Sequence, residues 1–317
     1  MAIAKVLVVG FVAVVTSFLG TGSTAMASPA PHTSAVPGYW LVGADGGAFA
    51  FNAPFEGSGA PRSGVPGLCP FAFGPTINIA AASLANSGQV ITDINCVGIA
   101  SSGASSGYWI ANFSSLPSAF GSAAALGQLG CSGLNGAFEG WSGIAATPSG
   151  RGFLLVSVNG GVLGCGDAVP LGGVSNLNLA ASITGIASTP DGNGYWLVGT
   201  DGGVFAFGDA GFYGSMGGRV LNASIVGIAA TPDGKGYWLV GADGGVFSFG
   251  DATFFGSMGG QKLNRSITGI AANPDGTGYW LVAWDGGVFA FGGAPFEGSL
   301  GSSRLNAPIV GLAAAPN

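Results

Sequence analysis

The sequence predicts an all-β fold, a β-propeller of six four-stranded blades, and three observations predict it. A unit of about 42 residues recurs along the chain. Each unit reads as four short apolar runs separated by Gly, Asp and Pro turn signals. Apolar residues occupy both faces of those runs, so each small sheet must be covered on both sides. Sheets stacked face to face around an axis meet that need, and four strands in 40–45 residues is the propeller pattern.

The repeat is plainest in the C-terminal half. Gly194-Tyr195-Trp196-Leu197-Val198 recurs at Gly236–Val240 and again at Gly278–Val282, 42 residues apart each time. Each copy is followed by Asp-Gly-Gly-Val-Phe, at Asp201, Asp243 and Asp285. Weaker copies begin at Gly38, Gly107 and Gly152. Within one unit, strand a is expected over 224–230, strand b over 237–241, strand c over 246–249 and strand d over 253–258. Thr231-Pro232-Asp233-Gly234 turns a into b, and Asp243-Gly244 turns b into c.

The phase of the repeat predicts closure. The first unit opens at strand b (Tyr39), and the last residues, 308–315, read as strand a. A ring completes the first blade with that last strand, whereas a solenoid needs polar caps. Tyr39 and Tyr108 are 69 residues apart instead of 42, which predicts an insertion at about 60–95 within a single domain spanning 38–317. A degenerate seventh blade is the alternative.

The N-terminal residues read as an export signal. Lys5, the apolar run Val6–Leu19 and the small-x-small site Ala25-Met26-Ala27 predict a signal peptide over 1–27, with a disordered lead-in over 28–37. No membrane span is expected after cleavage. Gly is 62 of 317 residues without a Gly-X-Y period, which excludes collagen and implies many tight turns. Only 7% of residues are charged and the net charge is −6, so there is no basic stripe for nucleic acid. The four cysteines, none in C-x-x-C spacing, suit an oxidising compartment. Of the three possible connectivities, Cys69–Cys96 with Cys131–Cys165 is preferred. Free buried thiols at Cys131 and Cys165 stay open, because those two positions map to opposite ends of their blades.

The unit GYWLVGADGGVFSFGDATFFGSMGG…SITGIAANPDG resembles repeats of secreted actinobacterial proteins that often sit beside cell-wall hydrolase, peptidase or lipase domains. The resemblance spans about 38–317 and is most specific over 194–317. The Thr231-Pro232-Asp233-Gly234-Lys235 turn is similar to that of TolB-type and WD40-like propellers, and Val-x-x-Asp-Gly-Gly-Val-Phe-x-Phe to quinoprotein-type repeats. What the resemblance implies is an extracellular repeat module; it carries no reaction.

No catalytic constellation is visible. The only histidine, His32, lies in the lead-in, which removes Ser-His-Asp, Cys-His and His-based zinc arrangements. Asp-Gly-Gly offers one carboxylate per loop, too few for calcium, so no metal or cofactor is expected. The acids recur with the unit and read as turn residues, except Asp93 and Glu139. Basic residues are more suggestive: Arg62, Arg219, Lys262, Arg265 and Arg304 all fall in d-to-a connections. In a propeller those loops share a face with the b-to-c turns that carry Asp201, Asp243 and Asp285. Trp284 and Trp141 break the repeat pattern and are the candidate exposed aromatics. The expectation is a secreted, cell-wall-associated binding module for a glycan or protein. Two alternatives are a carboxylate-dependent hydrolase or lyase using Glu139 and Asp93 at the propeller mouth, and a structural envelope protein.

Overall fold

The structure is a computed structural model and describes residues 37–54, 96–102, 107–112, 116–123, 125–126, 131–133 and 140–315. The expected leader, the lead-in up to residue 36 and the insertion at 60–95 lie outside the described residues.

Among the described residues all regular structure is β. The strands are β1 (Tyr39–Gly43), β2 (Ala48–Phe51), β3 (Cys96–Ser101), β4 (Tyr108–Asn112), β5 (Ser118–Phe120), β6 (Cys131–Ser132), β7 (Trp141–Ala146), β8 (Phe153–Ser157) and β9 (Val162–Cys165). The regular units follow: β10 (Ile183–Ser188), β11 (Gly194–Gly199) and β12 (Val204–Gly208); β13 (Ile225–Ala230), β14 (Gly236–Gly241) and β15 (Val246–Gly250); β16 (Ile267–Ala272), β17 (Gly278–Ala283) and β18 (Val288–Gly292). β19 (Ile309–Ala314) ends the described chain. Among the described residues these form six small antiparallel sheets. The first has the order β19-β1-β2, with Tyr39 opposite Ala314 and Leu41 opposite Leu312. Strand a of the first unit is thus supplied by residues near the C-terminal end, as the repeat phase predicts. The a strands β3, β7, β10, β13, β16 and β19 each neighbour the next, and β19 returns to β3.

The strand-b motif makes the core. Tyr and Trp alternate to opposite faces of a strand, so each of the five b strands that carry both (β1, β4, β11, β14 and β17) pushes a Trp toward one neighbouring sheet and a Tyr toward the other. Trp196 packs on Tyr237, Trp238 on Tyr279, and Trp280 on Tyr39, with ring centroids 5.4–5.6 Å apart. Trp40 meets Tyr108 at 5.3 Å and Trp109 meets Phe153 at 5.5 Å. These tryptophans are at most 1% exposed, so the recurring Trp is core.

Strand d is where the expectation fails. Among the described residues five of the six sheets have three strands, and the three regular units, whose d segments are described throughout, are among them. Residues 251–258 run irregularly, because side chains from two sheets take the backbone groups that a ladder would use. The Trp238 indole N–H donates to the Thr253 carbonyl at 2.8 Å. From the next sheet, the Tyr279 hydroxyl donates to the Gly256 carbonyl at 2.6 Å and accepts from the Phe255 amide at 3.2 Å. Gly256 has φ +130°, far from a strand, and a Cβ there would lie 2.8 Å from Phe291. The same stitch joins the ends of the chain: Tyr39 donates to the Gly298 carbonyl at 2.6 Å.

The third sheet alone has four strands, in the order β6-β9-β8-β7. Its outer strand β6 comes from the segment before β7, not after β9. Cys131, expected in a loop, therefore stands opposite Cys165 and forms a disulfide with it. The apparent mismatch of blade ends disappears because Cys131 crosses to the sheet of the following unit. Cys96 opens β3; its expected partner Cys69 lies outside the described residues.

Candidate functional site

The Asp-Gly-Gly turns are built alike. In the fifth sheet, the Asp243 Oδ1 accepts from the Gly245 amide at 3.0 Å, and Gly244 has φ +79°. Asp201 and Asp285 hold Gly203 and Gly287 at 2.9 and 3.0 Å. One oxygen of each carboxylate is thus committed to its own backbone. The turn also anchors the d segment, since the Met258 amide donates to the Gly244 carbonyl at 2.9 Å. That bond brings the loop after Met258 alongside the b-to-c turn, and cations on the loop join acids on the turn.

Between the fifth and sixth sheets these loops line an open cleft of about 690 Å³. Asp243, Lys262, Arg265 and Trp284 line it together with Asn222 and Asn264. Four of the candidate residues, drawn from a b-to-c turn, a d-to-a loop and the next b-to-c turn, therefore share one site. Trp284 is half-buried, while Lys262 and Arg265 are exposed. The ion pairs among the described residues are Arg151–Asp167 and Lys235–Asp233, so neither cleft cation is held by a carboxylate. Two cations against one carboxylate leave the cleft with a net positive charge.

The other described candidates do not line it. Arg219 and Arg304 are exposed on the corresponding loops of neighbouring units. Arg62, Asp93 and Glu139 lie outside the described residues. Trp141, expected to be an exposed aromatic, is instead buried at 4% exposure in the cluster of Trp109, Phe153 and Leu155. It opens β7 at the position that Ile183, Ile225, Ile267 and Ile309 hold in other a strands, all of them buried.

The opposite loops carry a feature that the spacing concealed. Thr231 donates to Asp233 at 2.9 Å and reaches Asp251 at 3.4 Å, so turn residues 18 apart form a carboxyl pair. The Lys235 amide, followed by the Thr231 hydroxyl, holds Asp233 down to about 2. Desolvation, followed by the hydrogen bond and charge of Asp233, pushes Asp251 up. Asp191 and Asp209 repeat the arrangement: the Thr189 hydroxyl lowers the first, and desolvation ahead of the Asp191 contact raises the second. Both pairs are surface-exposed. Among the described residues no three His, Cys, Asp or Glu side chains converge as metal ligands, and no helix is long and apolar enough to cross a membrane.

No family model matches the chain, and no curated protein matches it. Among solved structures it is similar to a β-propeller chain in the crystal structure of a nidogen/laminin complex. The two are 10% identical with a TM-score of 0.50, over 88% of this chain and 98% of that one. The fold is a β-propeller. In that frame the cleft lies on the propeller face formed by the b-to-c and d-to-a loops, where length-variable loops stand on a rigid scaffold. The carboxyl pairs belong to the other face, which carries the a-to-b and c-to-d turns.

Proposed function

We propose that this chain is a secreted six-bladed propeller, closed by β19, that serves as a non-catalytic binding module at the cell surface with a glycan as its ligand. The observation that carries this reading is the cleft, where a half-buried indole, two unpaired cations and two amides converge on one loop face. A concave site with an apolar wall and a few polar groups is built for a small ligand. Among the described residues of that face, Asp201, Asp243 and Asp285 each commit a carboxylate oxygen to a turn amide. The Cys131–Cys165 disulfide suits an oxidising compartment.

A glycan array together with sedimentation on purified cell walls tests the reading. The protein should be retained on the walls without releasing soluble sugar, and Lys262→Ala with Arg265→Ala should abolish retention. Sugar release that disappears in Glu139→Gln would replace this reading with the hydrolase.

A further inference from the structure

The cleft lies where the repeat is broken. At 42-residue spacing the positions equivalent to Arg265 are Ala223 and Ala307, and those equivalent to Trp284 are Thr200 and Ala242. Small residues satisfy the blade at both positions, so the large ones are not required by the fold. Arg265 and Trp284 are 19 residues apart in sequence but adjacent in space, since the Trp284 amide donates to the Ser266 carbonyl at 2.9 Å. Lys262 stands where the unit before has Val220 and the unit after has Arg304, so a cation recurs at this position in two units. Asn222 and Asn264 occupy one repeat position in successive units, and both line the cleft.

Resting on the binding-module reading above, we infer that this cleft takes a carboxylate-bearing glycan, a stretch of uronic-acid polysaccharide. The indole offers a flat apolar face to a sugar ring. The Asn side chains present donors and acceptors to hydroxyls. The guanidinium of Arg265 matches a carboxylate bidentately, and Lys262 adds a second charge-assisted donor. A neutral glycan would offer the two cations hydroxyl acceptors but no charge to pair with them. The chain as a whole carries net charge −6. Charges outside the cleft are screened beyond about 8–10 Å at physiological salt, so Lys262 and Arg265 against the single carboxylate of Asp243 decide the sign that an incoming ligand meets. A cleft of about 690 Å³ is within the usual range of small-ligand sites.

The test is calorimetric titration of the full chain with tetramers of galacturonate, glucuronate and mannuronate, each beside its carboxyl-reduced counterpart. At least one uronate should bind roughly 10-fold or more tighter than its reduced form, the loss expected when a charge-assisted hydrogen bond goes. Arg265→Ala should remove that preference. Trp284→Ala should weaken the acidic and reduced forms alike, and Arg219→Ala, outside the cleft, should change neither. Unchanged melting temperatures would show that these substitutions leave the fold intact. Equal binding of acidic and reduced tetramers overturns the inference and leaves the binding module standing, as does tighter binding of a glycerol-phosphate oligomer. Absence of binding to every tetramer overturns it as well, and the binding module falls with it only if retention on cell walls is also lost.

Discussion

The third sheet and the three regular sheets after it solve one packing problem in two ways. In the regular units, Trp and Tyr of strand b fill the space between sheets, and their polar tips hold the irregular d segment through hydrogen bonds of 2.6–3.2 Å. The third sheet has Leu154 in place of that Trp and Cys165 in place of Phe207 or Phe249. It compensates with a fourth strand and a covalent bond. A repeat unit can therefore lose its aromatic lock if another element closes the outer edge of its sheet.

The comparison breaks first at the seam. Deleting residues 306–317 removes β19, the strand that pairs β1 and contacts the a strands on both sides. The deletion should abolish cooperative unfolding of the whole domain in calorimetry. A truncated protein that keeps most of its melting temperature would show that the sheets are held as a linear stack.

The aromatic lock should be next in size. Trp238→Ala empties a fully buried site and orphans the Thr253 carbonyl, so it should cost about 3–5 kcal/mol in denaturant unfolding. A cost under about 1 kcal/mol would mean that the ring does not hold the sheets together.

The covalent solution should be of similar or slightly smaller worth. Cys131 and Cys165 are 34 residues apart. Chain-entropy arguments put such a crosslink at roughly 3–4 kcal/mol. Cys131→Ser with Cys165→Ser should lower the melting temperature relative to the parent protein under non-reducing conditions. If reduction also leaves the melting temperature of the parent protein unchanged, the crosslink is not what secures the third sheet.

The smallest effect belongs to the acidic pairs. Asp251 has a raised pKa, so its ionised form is disfavoured in the folded state, and its contribution to stability falls as pH rises through the interval above 3.8. Asp233, held at about 2, contributes above 3.8 and loses that contribution as pH falls toward 2. Both are exposed and screened, so each effect is slight. Asp251→Asn should leave the protein equally or slightly more stable at pH 7 and flatten its stability profile just above pH 4. Carbon-detected NMR titration of the two carboxyls would reverse this assignment if Asp233 proved to titrate above Asp251.

Strands a, b and c were legible in the sequence because alternation, β-branched residues and Asp-Gly turns all agree there. Strand d was not. Thr253-Phe254-Phe255 has a strand's composition, and nothing local reveals that a Trp and a Tyr from two different sheets will claim its backbone. Trp141 breaks the pattern of its repeat position without being exposed, and its 42-residue register with the buried Ile183 is the signal that marks it as core. The loop cations were legible as a group. Which of them meet was not, since the cleft depends on the contact between the Gly244 turn and the loop beyond Met258. The carboxyl pairs went unseen because residues 18 apart become neighbours only after the sheet folds back on itself.

The hydroxyl of Tyr39 bonds Gly298 as that of Tyr279 bonds Gly256, although the first pair is 259 residues apart in sequence and the second 23. The bond between the ends of the chain is the same as the bond between consecutive units, so the seam has no chemistry of its own. Backbone continuity is then not what distinguishes one inter-blade boundary from another. A gene encoding this domain could be opened at a different loop, such as the exposed turn at Gly217-Gly218, and rejoined across the old ends, so that circular permutants would share one native state.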